Sequence, residues 1–179
     1  MAGVVPQLRR ERPRTSVVVF RNWVDREFQV ALTRACIDAV WTNNVGQPKP
    51  AESLPFDEIL RACAEAAHET VLVLLDQFEE FFLYHPKSAD PESFEAQFAR
   101  AVNRDDVDVG FLIALRDDSL SKLDRFQERI PNLLSNRLRL KHLDAAGPRS
   151  QSAVHWLSGT TNTRQAGCPS ISRKTSSAN

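Results

Sequence analysis

The sequence is poor in the features that mark several protein classes. Its three cysteines form no Cys-x-x-Cys pair and its four histidines have no metal-ligand spacing, which argues against a disulfide framework and against a zinc site. The longest purely apolar runs, Val71–Leu75 and Phe111–Leu115, are far shorter than the ~20 residues that span a bilayer. Residues 1–20 also lack the apolar core of a signal peptide. We therefore expect a cytoplasmic protein that does not contact a membrane.

An excess of charge of one sign is also missing. The 23 basic and 23 acidic residues balance, so the bulk charge does not predict nucleic-acid binding. A basic cluster within residues 9–14 is interrupted by Glu11 and has no aromatic neighbours, which is typical of a solvated helix end. We expect no nucleic-acid partner.

The composition changes after Asp144. From residue 145 onwards the sequence has no acidic residue, seven serines, four threonines and only scattered apolar residues. Such a segment buries too little apolar surface to offset the conformational entropy that ordering would cost. We predict one folded domain over residues 1–144 and a disordered Ser/Thr-rich tail over residues 145–179.

Apolar runs alternate with helical periodicity in the first 144 residues. Runs of strand-forming residues occur at Ser16–Phe20, Thr70–Leu75 and Val109–Leu115, and polar and apolar residues alternate over Arg137–Leu143. Helical spacing of apolar residues predicts helices over 4–10, 27–41, 56–68 and 92–102. Buried strands separated by helices predict an α/β fold, a parallel sheet with helices on both faces. Short buried helices could mimic such strands, and periodicity alone leaves that alternative open.

The segment that carries chemistry runs from Thr70 to Glu80, Thr-Val-Leu-Val-Leu-Leu-Asp-Gln-Phe-Glu-Glu. A buried strand that ends in an acid, here Asp76, places a carboxylate at the edge of the sheet where α/β folds bind ligands. In nucleotide hydrolases such an acid helps to hold Mg²⁺, and a following carboxylate can orient the attacking water. Glu79 and Glu80 lie one helical turn further on and could face the same pocket. The alternative is a solvated acidic helix start, which the helix dipole favours.

Three phenylalanines in the same stretch follow a helical spacing. Phe78, Phe81 and Phe82 stand at positions i, i+3 and i+4. We predict that they belong to the core and do not form a base-stacking platform.

Two segments together resemble a known family. Val73–Phe82, VLLDQFEEFF, resembles the Walker B segment of bacterial STAND ATPases of the "novel STAND" class, and Ala114–Leu120, ALRDDSL, looks like that family's sensor segment. Residues 2–9 resemble the later part of the helix that follows the family's P-loop. The resemblance covers about residues 2–144. It implies a P-loop NTPase fold that binds ATP and Mg²⁺, a signalling role in which nucleotide switches the protein between states, and other STAND proteins or further copies as partners.

The resemblance also implies roles for individual residues. Asp76 would be the Mg²⁺ acid, and either Glu79 or Glu80 would orient water. Arg116 would be the sensor arginine that reaches the γ-phosphate of ATP, with a surface salt bridge as the alternative. Asp118 matches the sensor segment's acid, as a cap or an ion-pair partner.

The phosphate-binding loop is the feature that the sequence lacks. None of the six glycines is followed by lysine, so GxxxxGK[ST] is absent in every register. The resemblance places the start of the sequence inside the helix that this loop should open. We therefore expect a partial P-loop NTPase fold that lacks its first, normally central, strand and is truncated before or within the Walker A region. Such a fragment would bind neither ATP nor Mg²⁺ and would be inactive alone.

Two other functions stay open. The chain could be a non-enzymatic interaction module, or pseudo-NTPase, that pairs with intact relatives through an exposed sheet edge. It could also be a metal-dependent phosphoesterase, although its candidate acids show no DxD spacing; they are Asp76, Glu79, Glu80, Asp117 and Asp118.

Overall fold

Five strands and five α-helices make up the described part of the protein. The computed structural model describes residues 15–42, 44, 46–67, 70–131, 133–140 and 152–158, together with Pro6 and Arg10. The strands are β1 Ser16–Phe20, β2 Val71–Leu75, β3 Val109–Arg116, β4 Arg137–Leu140 and β5 Ser152–Ser158. The helices are α1 Phe28–Trp41, α2 Phe56–Ala67, α3 Glu79–Tyr84, α4 Phe94–Asn103 and α5 Asp124–Gln127, with a 3-10 helix over Asp117–Leu123.

The strands form one sheet in the order β1-β2-β3-β5-β4. The first three are parallel and in simple register, so that Phe20 lies beside Leu75 and Leu75 beside Ile113. All five residues of β2 are buried, as the central strand of a sheet covered on both faces should be. The predicted α/β class with a parallel sheet is therefore confirmed, as are the three predicted parallel strands.

A side chain caps α4, whereas the residues that precede α1, α3 and α5 make no side-chain capping hydrogen bond. The Asp25 carboxylate accepts a hydrogen bond from Glu27 N at 2.9 Å just before α1, and the Ser93 hydroxyl caps α4 by accepting from Ala96 N at 3.4 Å. The predicted helices at 27–41, 56–68 and 92–102 correspond to α1, α2 and α4 within one or two residues. Of the predicted helix at 4–10, only Pro6 and Arg10 are described, and both are helical.

The main hydrophobic core lies on one face of the sheet. It joins inward-facing residues of β1, β2 and β3 to buried side chains of all five α-helices, among them Leu32, Leu60, Phe81, Phe98 and Phe126. A second, smaller cluster contains Val17, Leu72 and Leu74, which alternate with the first set and so belong to the opposite face. The sheet therefore has two apolar faces, the pattern that the fully apolar strands predict.

One of the two carboxyl-terminal strands, β5, lies where the sequence predicted a disordered tail. Within residues 145–179, predicted to be a disordered tail, Ser152–Ser158 form β5, antiparallel to both neighbours. The run Ala-Val-His-Trp-Leu at its centre is rich in strand-forming residues, a local signal that the Ser/Thr-rich average of the tail hides. The rest of the tail lies outside the described residues. The predicted outer strand at 137–143 is present as β4 over Arg137–Leu140, at the edge of the sheet.

Candidate functional site

Asp76 stands directly after β2, at the carboxyl edge of the parallel strands. Its backbone N donates to Phe20 O at 2.8 Å, so the ladder between β1 and β2 continues one step beyond the strand. Its carboxylate accepts a hydrogen bond from Gln77 N at 3.1 Å and is only partly buried. The carboxylate is thus held in place by one weak donor and keeps capacity for a further ligand.

The turn after Asp76 requires an uncommon backbone conformation. Gln77 has φ 54°, the only positive φ among the described non-glycine residues, in the left-handed region that costs an L-residue about 1–2 kcal/mol. After this turn Phe78 N donates to Ala114 O at 2.9 Å, and α3 begins at Glu79. The left-handed conformation of Gln77 therefore turns the backbone so that Phe78 bonds to β3. As a result, α3 begins beside the end of that strand.

Trp23 fixes the backbone of Asp76 from the other side. The fully buried indole donates its Nε1–H to Asp76 O at 2.7 Å, and His85 Nε2 donates to Trp23 O at 2.7 Å. The Trp23 ring lies among five phenylalanine rings at centroid distances from 4.9 to 6.3 Å, those of Phe20, Phe28, Phe78, Phe81 and Phe94. Trp23 and His85 thus hold the segment from Asp76 to the end of α3 at both ends.

This clamp, the hydrogen bond from Trp23 that holds the backbone of Asp76, was not predicted from the sequence. Trp23 is 53 residues from Asp76 along the chain, and pairing an indole with a backbone carbonyl leaves no spacing signature. The only local signal is a tryptophan in the loop directly after a buried strand.

Arg116 is the last residue of β3, the strand next to β2 in the sheet. Because β2 and β3 are adjacent and parallel, Asp76 and Arg116 lie at the same edge of the sheet. The Arg116 guanidinium pairs with the Asp118 carboxylate at 2.8 Å, and the two side chains are 51% and 62% exposed. Asp118 is therefore an ion-pair partner in this structure, one of the two roles that the sequence left open.

The two glutamates of α3 have different surroundings. The Glu79 carboxylate accepts a hydrogen bond from Arg116 N at 3.3 Å, which places it at the end of β3. The Glu80 carboxylate makes no hydrogen bond within the described part of the chain; its backbone N donates to Gln77 O at 3.0 Å. Of the two, Glu79 is the one that reaches the sheet edge where Asp76 and Arg116 lie.

The acids do not form a ready-made metal cluster. In the described part of the chain no group of three or more His, Cys, Asp or Glu side chains could hold a metal ion. The five acids considered for a metal-dependent phosphoesterase are all described and do not form such a group. A single carboxylate, by contrast, fits Mg²⁺, which is bound through one or two carboxylates together with substrate phosphates and water.

Two of the three predicted core phenylalanines are buried and the third is partly buried. Phe78 and Phe81 are at most 1% exposed, and Phe82 packs against the same core. The Arg125 guanidinium lies over the Phe81 and Phe82 rings at 5.3 and 5.5 Å, while its Nη2 is paired with the buried Glu95 carboxylate. These rings pack α3 against the hydrophobic core and are not available for stacking on a base.

The remaining points concern other parts of the chain. Cys36 and Cys63 are buried free thiols, as expected of small apolar residues. The basic cluster in residues 9–14 lies outside the described residues apart from Arg10. None of the described helices has the length and apolar character needed to cross a membrane.

Comparison with known proteins identifies the family. The family described as Novel STAND NTPase 1 matches residues 1–151, which include the segments around Asp76 and Arg116. No curated protein and no solved structure matched the chain. The match extends over most of the sequence and agrees with the parallel sheet and its acid-ended central strand, so the chain belongs to the Novel STAND NTPase 1 family.

Proposed function

We propose that the chain carries the acid and sensor segments of a STAND-type signalling ATPase and does not hydrolyse ATP on its own. The observation that supports this proposal is the meeting of three residues at one sheet edge. Asp76 and Arg116 follow adjacent parallel strands, and Glu79 is hydrogen-bonded to the backbone of Arg116. The carboxyl edge of a parallel sheet is where such folds bind nucleotides.

Each of the three residues has a role in this proposal. Asp76, with its partly exposed carboxylate, would hold Mg²⁺, which when bound neutralises the charge of the nucleotide phosphates. Arg116 is exposed and bound to a single surface acid, so its guanidinium can exchange Asp118 for a phosphate. The exchange replaces one charge-assisted hydrogen bond by another.

Glu79 is the better candidate for orienting the attacking water. Its carboxylate lies at the backbone of Arg116, whereas that of Glu80 has no hydrogen-bond partner among the described residues. A group that orients water must lie within hydrogen-bond reach of the reacting centre. We therefore assign the water-orienting role to Glu79 and a surface role to Glu80.

The missing lysine explains why the chain alone should not turn over ATP. In P-loop enzymes, backbone N–H groups and one Lys hold the phosphates, and no glycine here is followed by lysine. The acids at the edge repel a triphosphate. Arg116 can contribute only about 1.5–3 kcal/mol through a charge-assisted hydrogen bond, whereas even millimolar affinity requires about 4 kcal/mol.

A chimera tests the proposal directly. A strand followed by a GxxxxGK[ST] loop, taken from another member of the family, is fused in front of Met1. We expect the chimera to bind Mg-ATP and release phosphate. Both activities should fall in Asp76→Ala, phosphate release alone should fall in Glu79→Gln, and the matched control Glu80→Gln should behave like the parent chimera. A chimera that binds and hydrolyses Mg-ATP equally well without the Asp76 carboxylate would contradict the proposal.

One observation favours a second candidate, a non-enzymatic module that pairs with intact relatives. β1 is bonded only to β2 and has no other neighbour among the described strands, and Val19 on it is 41% exposed. Open strand edges accept strands from other chains. In this candidate, Val19→Lys should abolish co-elution with an intact family member on size exclusion, because a lysine on an edge strand opposes pairing. Unchanged co-elution would exclude this edge as the contact.

A further inference from the structure

A cavity of about 660 Å³ beside α4 is lined by three arginines and by one acid. Arg100 belongs to α4, Arg104 directly follows that helix, and Arg129 follows α5; the acid is Asp57, near the start of α2. Because β3 begins shortly after the end of α4, these arginines lie toward the amino end of β3. The candidate functional site lies at the carboxyl end of the same strand, so the cavity is a separate feature.

Arg104 is already bound to acids of the protein itself. Its Nε and Nη2 donate to the two carboxylate oxygens of Asp106, both at 2.8 Å, and its Nη1 donates to the Glu58 carboxylate at 2.9 Å. Two acids therefore offset its charge. Arg104 forms a wall of the cavity and contributes little to the binding of an anion.

Arg100 is held in a fixed orientation at the cavity. Its Nε donates at 3.2 Å to the carboxylate of Asp57, a side chain that is only 9% exposed, and its Nη1 donates to Pro91 O at 3.0 Å. The Arg100 side chain is nevertheless 41% exposed. An arginine that is oriented in advance loses less conformational freedom when it binds a further group.

Arg129 differs from the other two arginines because it has no acid. It is half-buried, and its backbone O accepts a hydrogen bond from Asn103 Nδ2 at 2.7 Å, which fixes its backbone beside the end of α4. Within the described part of the chain its guanidinium has no hydrogen-bond or ion-pair partner. Arginines that are withdrawn from water normally pair with a carboxylate or a phosphate. Arg129 therefore offers an unused planar set of donors.

We propose that this cavity binds a small phosphate monoester, with the Arg129 guanidinium as the principal ligand and that of Arg100 as the second. A phosphate group presents three acceptor oxygens, so it can bond to both guanidinia, whereas one guanidinium satisfies the two oxygens of a carboxylate. The volume is within the roughly 300–1,000 Å³ typical of small-molecule sites. Pro91, Ala96 and Ala99 also line the cavity and supply an apolar wall for the organic part of the ester.

Titration of the full chain with phenyl phosphate, at constant ionic strength, tests the proposal. Arg129→Gln removes the unpaired guanidinium, and Ala96→Leu fills the cavity while it leaves every charge in place. The matched control is Arg26→Gln, which removes one positive charge from an exposed arginine outside this cavity. Asp76→Ala separates the cavity from the candidate functional site. Circular dichroism and urea unfolding establish that each variant is folded.

We expect saturable binding to the wild-type chain with a dissociation constant of about 1 mM or lower. Arg129→Gln and Ala96→Leu should each weaken binding about tenfold, because the first removes charge-assisted hydrogen bonds and the second removes the space for the ligand. Arg26→Gln and Asp76→Ala should change the dissociation constant by less than about twofold. Benzoate, which carries a carboxylate in place of the phosphate, should bind at least about fivefold more weakly.

The absence of saturable binding up to about 10 mM phenyl phosphate would overturn the proposal. Equal weakening by Arg129→Gln and Arg26→Gln would also overturn it, because only general attraction between charges would then be at work. Equal affinity for benzoate would overturn the assignment to phosphate. A loss of binding in Asp76→Ala but not in Ala96→Leu would place the phosphate at the sheet edge instead. The Ala96→Leu result applies even if Arg129→Gln does not fold, and none of these outcomes alters the test of the nucleotide site in the chimera.

Discussion

Replacing Trp23 by phenylalanine tests the clamp on the Asp76 segment. The change removes the Nε1–H that donates to Asp76 O at 2.7 Å but keeps an aromatic ring among the surrounding phenylalanines. A net hydrogen bond of this kind contributes about 1 kcal/mol. The lost ring volume leaves a space at a fully buried site, which adds about 1–2 kcal/mol. The free energy of unfolding should therefore fall by about 2–3 kcal/mol.

The chain offers a matched control in Trp41. That indole is also buried and donates its Nε1–H to a loop carbonyl, Gln47 O, at 3.2 Å. Trp41→Phe should likewise reduce stability in urea unfolding, by about 1–2 kcal/mol. It should not act on the turn after β2, because its lost bond lies in the loop that follows α1.

Hydrogen exchange over residues 77–85 separates the two variants. We expect exchange there to rise about fivefold more in Trp23→Phe than in Trp41→Phe, since only the first loosens the segment locally. Equal acceleration in both variants would refute the clamp. So would a loss of stability in Trp23→Phe below about 0.5 kcal/mol, which is the usual range of substitutions without structural effect.

Three further predictions follow from single residues. Gln77→Gly should raise the free energy of unfolding by up to about 1 kcal/mol and Gln77→Val should lower it by about 1–2, as urea midpoints would show, because φ is 54° there; the opposite order would contradict the left-handed turn. Burial raises the pKa of the Cys63 thiol to about 12, so iodoacetamide at pH 8 should label it only after unfolding. Hydrogen bonds from Arg61 and Arg104 lower the pKa of Glu58, so its contribution to stability is present above its unfolded pKa of about 4.3 and is lost as the pH falls through the lower folded value. The difference in the free energy of unfolding between wild type and Glu58→Gln should therefore shrink as the pH falls below about 4.3. A constant difference from pH 6 to 3 would count against the pairing of Glu58 with Arg61 and Arg104.

The sequence predicts much of this fold because the relevant signals are local. β2 is a five-residue apolar run ending at an acid, and burial of all five residues follows from the absence of any polar position in the run. The segment that follows β3 is equally visible, because Arg116 directly follows the apolar residues of that strand. The edge that Asp76 and Arg116 share then results from parallel pairing alone.

Other features depend on contacts that local patterns do not encode. The left-handed turn at Gln77 uses a residue with no special turn preference. Its backbone conformation is determined by the contacts that the neighbouring residues make with β3 and within α3. The difference between Glu79 and Glu80 depends on the direction in which α3 leaves that turn. β5 was missed because its partner, β3, is about 40 residues away, and composition averaged over a Ser/Thr-rich tail conceals a short strand.

Binding of Mg-ATP to the 179-residue chain tests the central claim most directly. Isothermal titration calorimetry, run with a phosphate-release assay, compares the chain with its Asp76→Ala variant. Without a lysine to hold the phosphates, we expect no binding stronger than about millimolar and no turnover in either protein. Micromolar binding or phosphate release by the wild-type chain, lost in Asp76→Ala, would contradict the claim that this chain carries only the acid and sensor segments of the site.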